Sequence, residues 1–236
     1  MIERDGVRAV FFDAGYTLLC MDPPQTTVFL RVCADLGIAI DAARLEAAIR
    51  YANELLAPKP RERVRVPFSQ SSIDAFWTAY HRAVLQACAR DAGAADRGEV
   101  VYERFTRAIA WRVYDDVRPL LRDLRARGLV LGVISNWTGD LDDVLSRTGL
   151  RDAFDVVLDS ARFGYEKPHP EIFAEAVRSA AVAPADALHV GDSIEHDVEG
   201  ASGFGMRAVL IDRANRHAAF ARAPRIDDLA RLRDHL

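Results

Sequence analysis

The chain has 236 residues, half of them apolar, and a formal charge of −4. That mildly acidic balance gives no attraction for nucleic acid or an anionic membrane surface. Cys20, Cys33 and Cys88 lack metal-type spacing and argue against a disulfide scaffold. The amino-terminal MIERDGVR has no apolar signal-peptide core, and no stretch approaches the ~20 apolar residues of a membrane span, so a cytoplasmic protein is expected.

The first element is a strand, RAVFFDAG (8–15), which ends on Asp13 and the loop DAGYT. From about 22 to 113 the texture turns helical: QTTVFLRVCADLG, DAARLEAAIRYANELLA, SIDAFWTAYHRAVLQACARDAG and EVVYERFTRAIAWRV repeat apolar residues at i, i+3, i+4. PKPRERVRVPF (58–68), polar and bounded by prolines, reads as a loop between two of these helices. Its Arg61, Arg63 and Arg65 read as solubilising residues, with recognition of an anionic substrate as the other reading. Phe76, Trp77, Tyr80 and Trp111 read as the core of the helical layer.

From Arg118 onward short apolar runs alternate with helical segments: LVLGVIS (129–135), DVVLDS (155–160), ALHVGDS (187–193) and MRAVLID (206–212). Leu141, Val144 and Leu145, and likewise Ile172, Phe173, Ala176 and Val177, have helical spacing between them. The tail RIDDLARLRDHL reads as a last amphipathic helix. Strands separated by helices imply a parallel sheet covered on both faces. The expected fold is therefore α/β: a Rossmann-like core over 1–20 and 115–236, with an inserted all-helical cap over 21–114.

In an open α/β sheet, ligands sit outside the carboxyl ends of the strands. Those ends deliver Asp13 and Thr17, then Ser135 and Asn136, then Gly191, Asp192, Ser193 and Asp197. Lys167, one of only two lysines, stands in EKPHP at a proline-bounded helix start. Carboxylates converging on one point repel each other and call for a cation. All-oxygen ligands favour Mg²⁺, which pairs with phosphate. A hydroxyl, a lysine and exposed backbone N–H groups complete a phosphate cradle. The chemistry these residues support is phosphoryl transfer assisted by Mg²⁺, with Asp13 as nucleophile.

Four segments in this order (strand plus DAGYT, strand plus Ser135-Asn136, Lys167 in EKPHP, and GDSIEHD) resemble the haloacid dehalogenase superfamily of hydrolases over nearly the whole chain. The helical insert after the first strand is similar to that family's small cap. The resemblance implies that Asp13 attacks phosphorus and becomes an aspartyl-phosphate. It implies a phosphate site of Ala14, Gly15, Thr17, Ser135, Asn136 and Lys167, with Lys167 balancing charge. It also implies Mg²⁺ held by Asp13, the Gly15 carbonyl and Asp192, with Asp197 ligating the metal or orienting its waters. The substrate expected is a small phosphorylated metabolite, and the protein a monomer or homodimer.

Many phosphatases of the superfamily carry a second Asp two residues after the nucleophile, which protonates the leaving oxygen. Here that position is Gly15. Tyr16 and the helical residue His81 are the replacements the sequence offers, and phosphates whose leaving group needs little protonation, aryl or acyl, are the expected substrates. The dehalogenase branch also lacks that Asp, which makes a 2-haloacid dehalogenase the second reading. That branch needs no metal and lacks the Gly-Asp pair present here in GDSIEHD. A non-catalytic binder of a phosphorylated ligand is the third.

Overall fold

A computed structural model describes residues 6–56 and 69–236, so the arginine-rich loop with Arg61, Arg63 and Arg65 lies outside the described residues. Strand β1 (Ala9–Phe12) is followed by β2 (Leu19–Met21), then helices α1 (Gln25–Asp35), α2 (Ala42–Leu56), α3 (Gln70–Cys88) and α4 (Gly98–Ala108), and β3 (Trp111–Val113). Next come α5 (Val117–Ala126), β4 (Val130–Ser135), α6 (Leu141–Arg147), β5 (Val156–Asp159) and α7 (Ser160–Phe163). The chain ends with α8 (Pro170–Ser179), β6 (Ala187–Gly191), α9 (Gly200–Phe204), β7 (Arg207–Ile211) and β8 (Arg225–Ile226). It divides into two compact units, Met1–Cys20 with Arg112–Leu236, and Met21–Trp111.

The first unit is built on a six-stranded sheet in the order β5-β4-β1-β6-β7-β8, every pair parallel. Ala9 to Phe12 are all fully buried, which is why β1 reads as an unbroken apolar run rather than an alternating one. Phe12 lies level with Val133 on one side and Val190 on the other. The residues that follow in all three strands therefore emerge side by side. The strand order reverses around β1, the switch point at which such sheets bind ligands.

Helices pack around this sheet through single apolar stripes. In α5 the stripe is Val117, Leu120, Leu121 and Leu124, with Arg118 and Arg122 turned to solvent. In α8 it is Ile172, Phe173, Ala176 and Val177; Pro170 opens the helix, and His169 caps it by accepting from the Glu171 N–H at 3.3 Å.

The second unit has its own core. Val28, Phe29, Val32 and Cys33 of α1 meet Leu45 and Ala48 of α2, Tyr80, Val84, Leu85 and Cys88 of α3, and Val101 and Phe105 of α4. A reciprocal Ser69–Ser72 capping box starts α3. Tyr80 is buried as expected, and Trp77 packs against the core. Phe76 is exposed. His81 is 1% exposed, its ring 6.1 Å from and stacked on Phe29. Its Nδ1 donates to the Trp77 carbonyl at 2.8 Å, which is this residue's structural place.

Three segments depart from the periodicity. EVVYERFTRAIAWRV reads as one helix, but α4 stops at Ala108 and Trp111–Val113 forms a strand paired with β2. The Asp22 N–H donating to the Ala110 carbonyl continues that ribbon. The tail is not an α-helix either. Arg225–Ile226 adds an edge strand to β7, and Leu229–His235 is a 3₁₀ run capped by Asp228. Its buried Leu229 and Leu232 are three apart, the 3₁₀ repeat. After β6, the expected helix begins as a widened π turn over Ile194–Glu199.

Candidate active site

The site belongs wholly to the first unit. β1 ends on Asp13, whose N–H donates to the Val190 carbonyl and so ties it to β6 at 2.9 Å. β4 ends on Ser135, and its Oγ donates to Asp13 Oδ1 at 2.9 Å. Lys167, in the loop between α7 and α8, is 2% exposed. Its Nζ donates to Asp13 Oδ1 at 2.8 Å and to Asp197 Oδ1 at 2.6 Å. Both Ser135 and Lys167 thus meet Oδ1 of Asp13, and Oδ2 is the oxygen these donors leave for other work.

Asn136 is the reason Lys167 is where it is. Its Oδ1 accepts from the Lys167 backbone N–H at 2.7 Å, and its Nδ2 donates to the Lys167 carbonyl at 2.9 Å. The Asn136 side chain therefore grips the lysine's peptide rather than pointing to a ligand. This pairing across 31 positions has no local sequence signal.

The widened turn after β6 folds Asp197 back over the strand. Its Oδ2 accepts from the Ser193 N–H at 2.9 Å. A Cβ on Gly191 would stand 2.1 Å from the Asp197 Cγ, so only glycine leaves room for this carboxylate. π turns of this kind recur at functional sites. Asp13, Asp192 and Asp197 each bring a carboxylate oxygen into a group within 4.8 Å of one another, which can hold a metal ion.

Sequence reasoning missed His189. It is fully buried in β6, and its Nε2 lies 2.9 Å from Asp197 Oδ1. Since an ionised carboxylate only accepts, Nε2 carries the proton, and Nδ1 is left without a partner. The signal was a single polar residue inside the apolar run ALHV.

The electrostatics follow from burial and crowding. Burial, and then the Asp197 charge, hold Asp13 above the usual carboxylate range despite Lys167. Burial and the charges of Asp13 and Asp197 push Asp192 up to about 8. Asp197 is held below the usual range: burial opposes its charge, but Lys167 and His189 prevail. Burial also opposes the charge on Lys167, and Asp13 and Asp197 together outweigh it, so the ammonium persists. Burial lowers His189, which keeps it neutral.

The other expected positions sit around this centre. Ala14 is buried, and its carbonyl accepts from the Leu18 and Leu19 N–H groups, which closes the DAGYT loop. Thr17 is fully buried, and its hydroxyl has no hydrogen-bond partner; its carbonyl accepts from Arg213 at 2.8 Å. Gly15 needs neither a left-handed φ nor a close approach. Among the described residues, a Cβ there would meet the Trp137 ring alone, at 3.5 Å. The absence of a side chain at 15 is thus a chemical feature and no steric necessity.

A family model of haloacid dehalogenase-like hydrolases matches residues 7–205. The chain is 34% identical over 215 residues to haloacid dehalogenase-like hydrolase domain-containing protein 3 of Bos taurus, covering 89% of this chain and 84% of that protein. It is 31% identical over 232 residues to phosphoserine phosphatase of Thermus thermophilus, covering 89% and 90%. Among solved structures, a 2-haloacid dehalogenase of Pseudomonas syringae matches with a TM-score of 0.58 at 27% identity, over 97% of both chains. Relatives thus include one named for phosphate-ester and one for carbon–halogen hydrolysis.

Proposed function

This chain belongs to the haloacid dehalogenase-like hydrolases, and we propose that within them it is a Mg²⁺-dependent phosphatase of small phosphorylated metabolites. The observation that carries this reading is the cluster of Asp13, Asp192 and Asp197 against the single ammonium of Lys167. Burial and the crowding of the three carboxyl groups push Asp192 up to about 8, even with Lys167 and Arg216 opposing it. A divalent ion taking the place of that proton would relieve the repulsion, and the all-oxygen donor set suits Mg²⁺. Asp13, Asp192 and the Gly15 carbonyl would hold it, with Asp197 as ligand or orienter of its waters. Bound there, Mg²⁺ supplies charge neutralisation for the phosphoryl oxygens.

The protein's own groups do the rest. Asp13 attacks phosphorus through Oδ2 while Ser135 and Lys167 hold Oδ1. The bond from phosphorus to the leaving oxygen breaks as the bond to Asp13 forms. With no carboxyl at position 15, the leaving oxygen takes its proton from water. A second water then attacks the phosphorus of the aspartyl-phosphate, giving its proton to the hydroxide left by the first, as the phosphorus–Oδ2 bond breaks; phosphate is freed and the Asp13 carboxylate returns. Lys167, with a third N–H beyond those given to Asp13 and Asp197, stabilises the phosphoryl oxygens, and the Ser135 hydroxyl joins it only when its one proton turns from Oδ1 to them. The helical unit is the counterpart of the cap that the resemblance implies, and the proposed setting is cytoplasmic.

The same acidic cluster disfavours dehalogenation, a reaction of the family that needs no metal. Phosphate release from a panel of phosphorylated metabolites and halide release from a 2-haloacid, each with Mg²⁺ or with EDTA, decide between them. Phosphate released only with Mg²⁺ is the expected result. Halide released in EDTA, with no phosphate from the panel, would replace this reading by the dehalogenase one.

A further inference from the structure

We infer that Trp137 is a specificity-determining residue that, together with the open position at Gly15, forms a subsite for an aromatic leaving group. The inference rests on the phosphatase reading and names its substrate class: phosphate monoesters of phenol-like alcohols.

Gly15 is two residues beyond Asp13, the position whose residue, in the phosphatase reading, would serve the leaving group. A Cβ built there meets one atom within 4 Å among the described residues, Cζ3 of Trp137 at 3.5 Å. Ordinary van der Waals contact, with no overlap, means that space exists and that one wall of it is the benzo edge of the indole. The indole is anchored at its pyrrole nitrogen and at its peptide. Nε1 donates to Asp140 Oδ1 at 2.9 Å. The Trp137 N–H donates to Ser160 Oγ at 3.1 Å, and Ser160 Oγ donates back to the Trp137 carbonyl at 3.3 Å.

A tryptophan tied at its indole N–H and at its peptide is a rigid apolar wall, two positions after the Ser135 that touches Asp13. Both halves of the subsite act in the same direction. An unassisted departure favours an acidic leaving group such as a phenol, and an aromatic leaving group gains contact with the indole. A carboxyl at 15 would fill the space and supply a proton, and the chain has neither.

Three probes separate the two effects: phenyl phosphate, hexafluoroisopropyl phosphate, whose alcohol is comparably acidic but not aromatic, and ethyl phosphate. Wild type, Trp137→Leu and Trp137→Phe are compared with Mg²⁺ present, after thermal denaturation confirms that each is folded. Trp137→Leu is expected to raise KM for phenyl phosphate about three- to tenfold and to leave KM for hexafluoroisopropyl phosphate unchanged. Trp137→Phe, which keeps an aromatic wall, is expected to restore most of the loss and covers the case in which the leucine variant does not fold. Equal changes on both acidic esters, or no change on either, would overturn the subsite while leaving the phosphatase reading intact. Wild type that releases phosphate from none of the three esters also overturns the subsite, and the phosphorylated-metabolite panel with Mg²⁺ then decides the phosphatase reading separately.

Discussion

In the proposed reading, Gly15 is the position that leaves the departing oxygen without an acid from the chain. Its Cβ direction is open to Trp137 and its φ is ordinary, so Gly15→Asp is expected to fold. It is expected to raise kcat on ethyl phosphate by up to about 10²-fold, the lower end of what a positioned acid supplies. Phenyl phosphate gains little, because its leaving group needs no proton. Steady-state rates on the two esters check this, and equal gains on both contradict it. His81 is no substitute acid. It is enclosed by Phe29, Trp77, Tyr80, Tyr102 and Phe105, and burial pushes its pKa down to about 4. Asp13, Ser135 and Lys167 stood out in the sequence because each ends a strand or opens a helix. His189 and the grip of Asn136 on Lys167 did not, because both depend on pairs that only the folded sheet brings together.

At the scale of elements, the turn after β6 and the helices of the second unit carry the sharpest consequences. Gly191→Ala places a methyl group onto the Asp197 carboxylate, which its ion pair with Lys167 holds in place. Overpacking of this kind costs roughly 1–3 kcal/mol, so the melting temperature is expected to fall and activity with it. A variant as stable and active as wild type contradicts the placement of Asp197. In the second unit, the neutral ring of His81 faces aromatic side chains of α1, α3 and α4, and the phenols of Tyr80 and Tyr102 are the titratable groups among them. The unfolded chain binds that proton at an ordinary pKa of about 6.5, the folded one at about 4. The stability this ring contributes is therefore complete above about pH 6.5 and is lost as pH falls toward 4, roughly 3 kcal/mol in all. Thermal melts of wild type and His81→Phe across that range are expected to diverge, the variant losing less. Parallel curves contradict it. Element type was readable wherever burial follows a single period, as in α5 and α8. Trp111–Val113 and the tail were misread because a strand's pairing partner and a 3₁₀ register leave no mark in a 3.6-residue repeat.

For the whole molecule, the parallel sheet with β1 between β4 and β6 brings three strand ends to one point. The order of segments in the chain was legible, since a strand, a long helical stretch and then alternating strands and helices imply a parallel α/β sheet with a helical insert, although the strand order within the sheet leaves no mark in the sequence. That Asp13, Asp192 and Asp197 converge was also expected from their places at strand ends, but their distances and the depth of their burial were not, being properties of the closed sheet and the turn. An ion that binds only the folded chain stabilises it by mass action. Millimolar Mg²⁺ is therefore expected to raise the melting temperature of wild type and to do so less in Asp192→Asn; an identical shift in both contradicts a site at Asp192. The most direct test of the account is phosphate release from phenyl phosphate by wild type and Asp13→Asn, each with Mg²⁺ and with EDTA. Release by wild type with Mg²⁺ alone, and a loss on the order of 10³-fold or more in the folded Asp13→Asn variant, is the predicted result. Undiminished release by Asp13→Asn, or by wild type in EDTA, would contradict it.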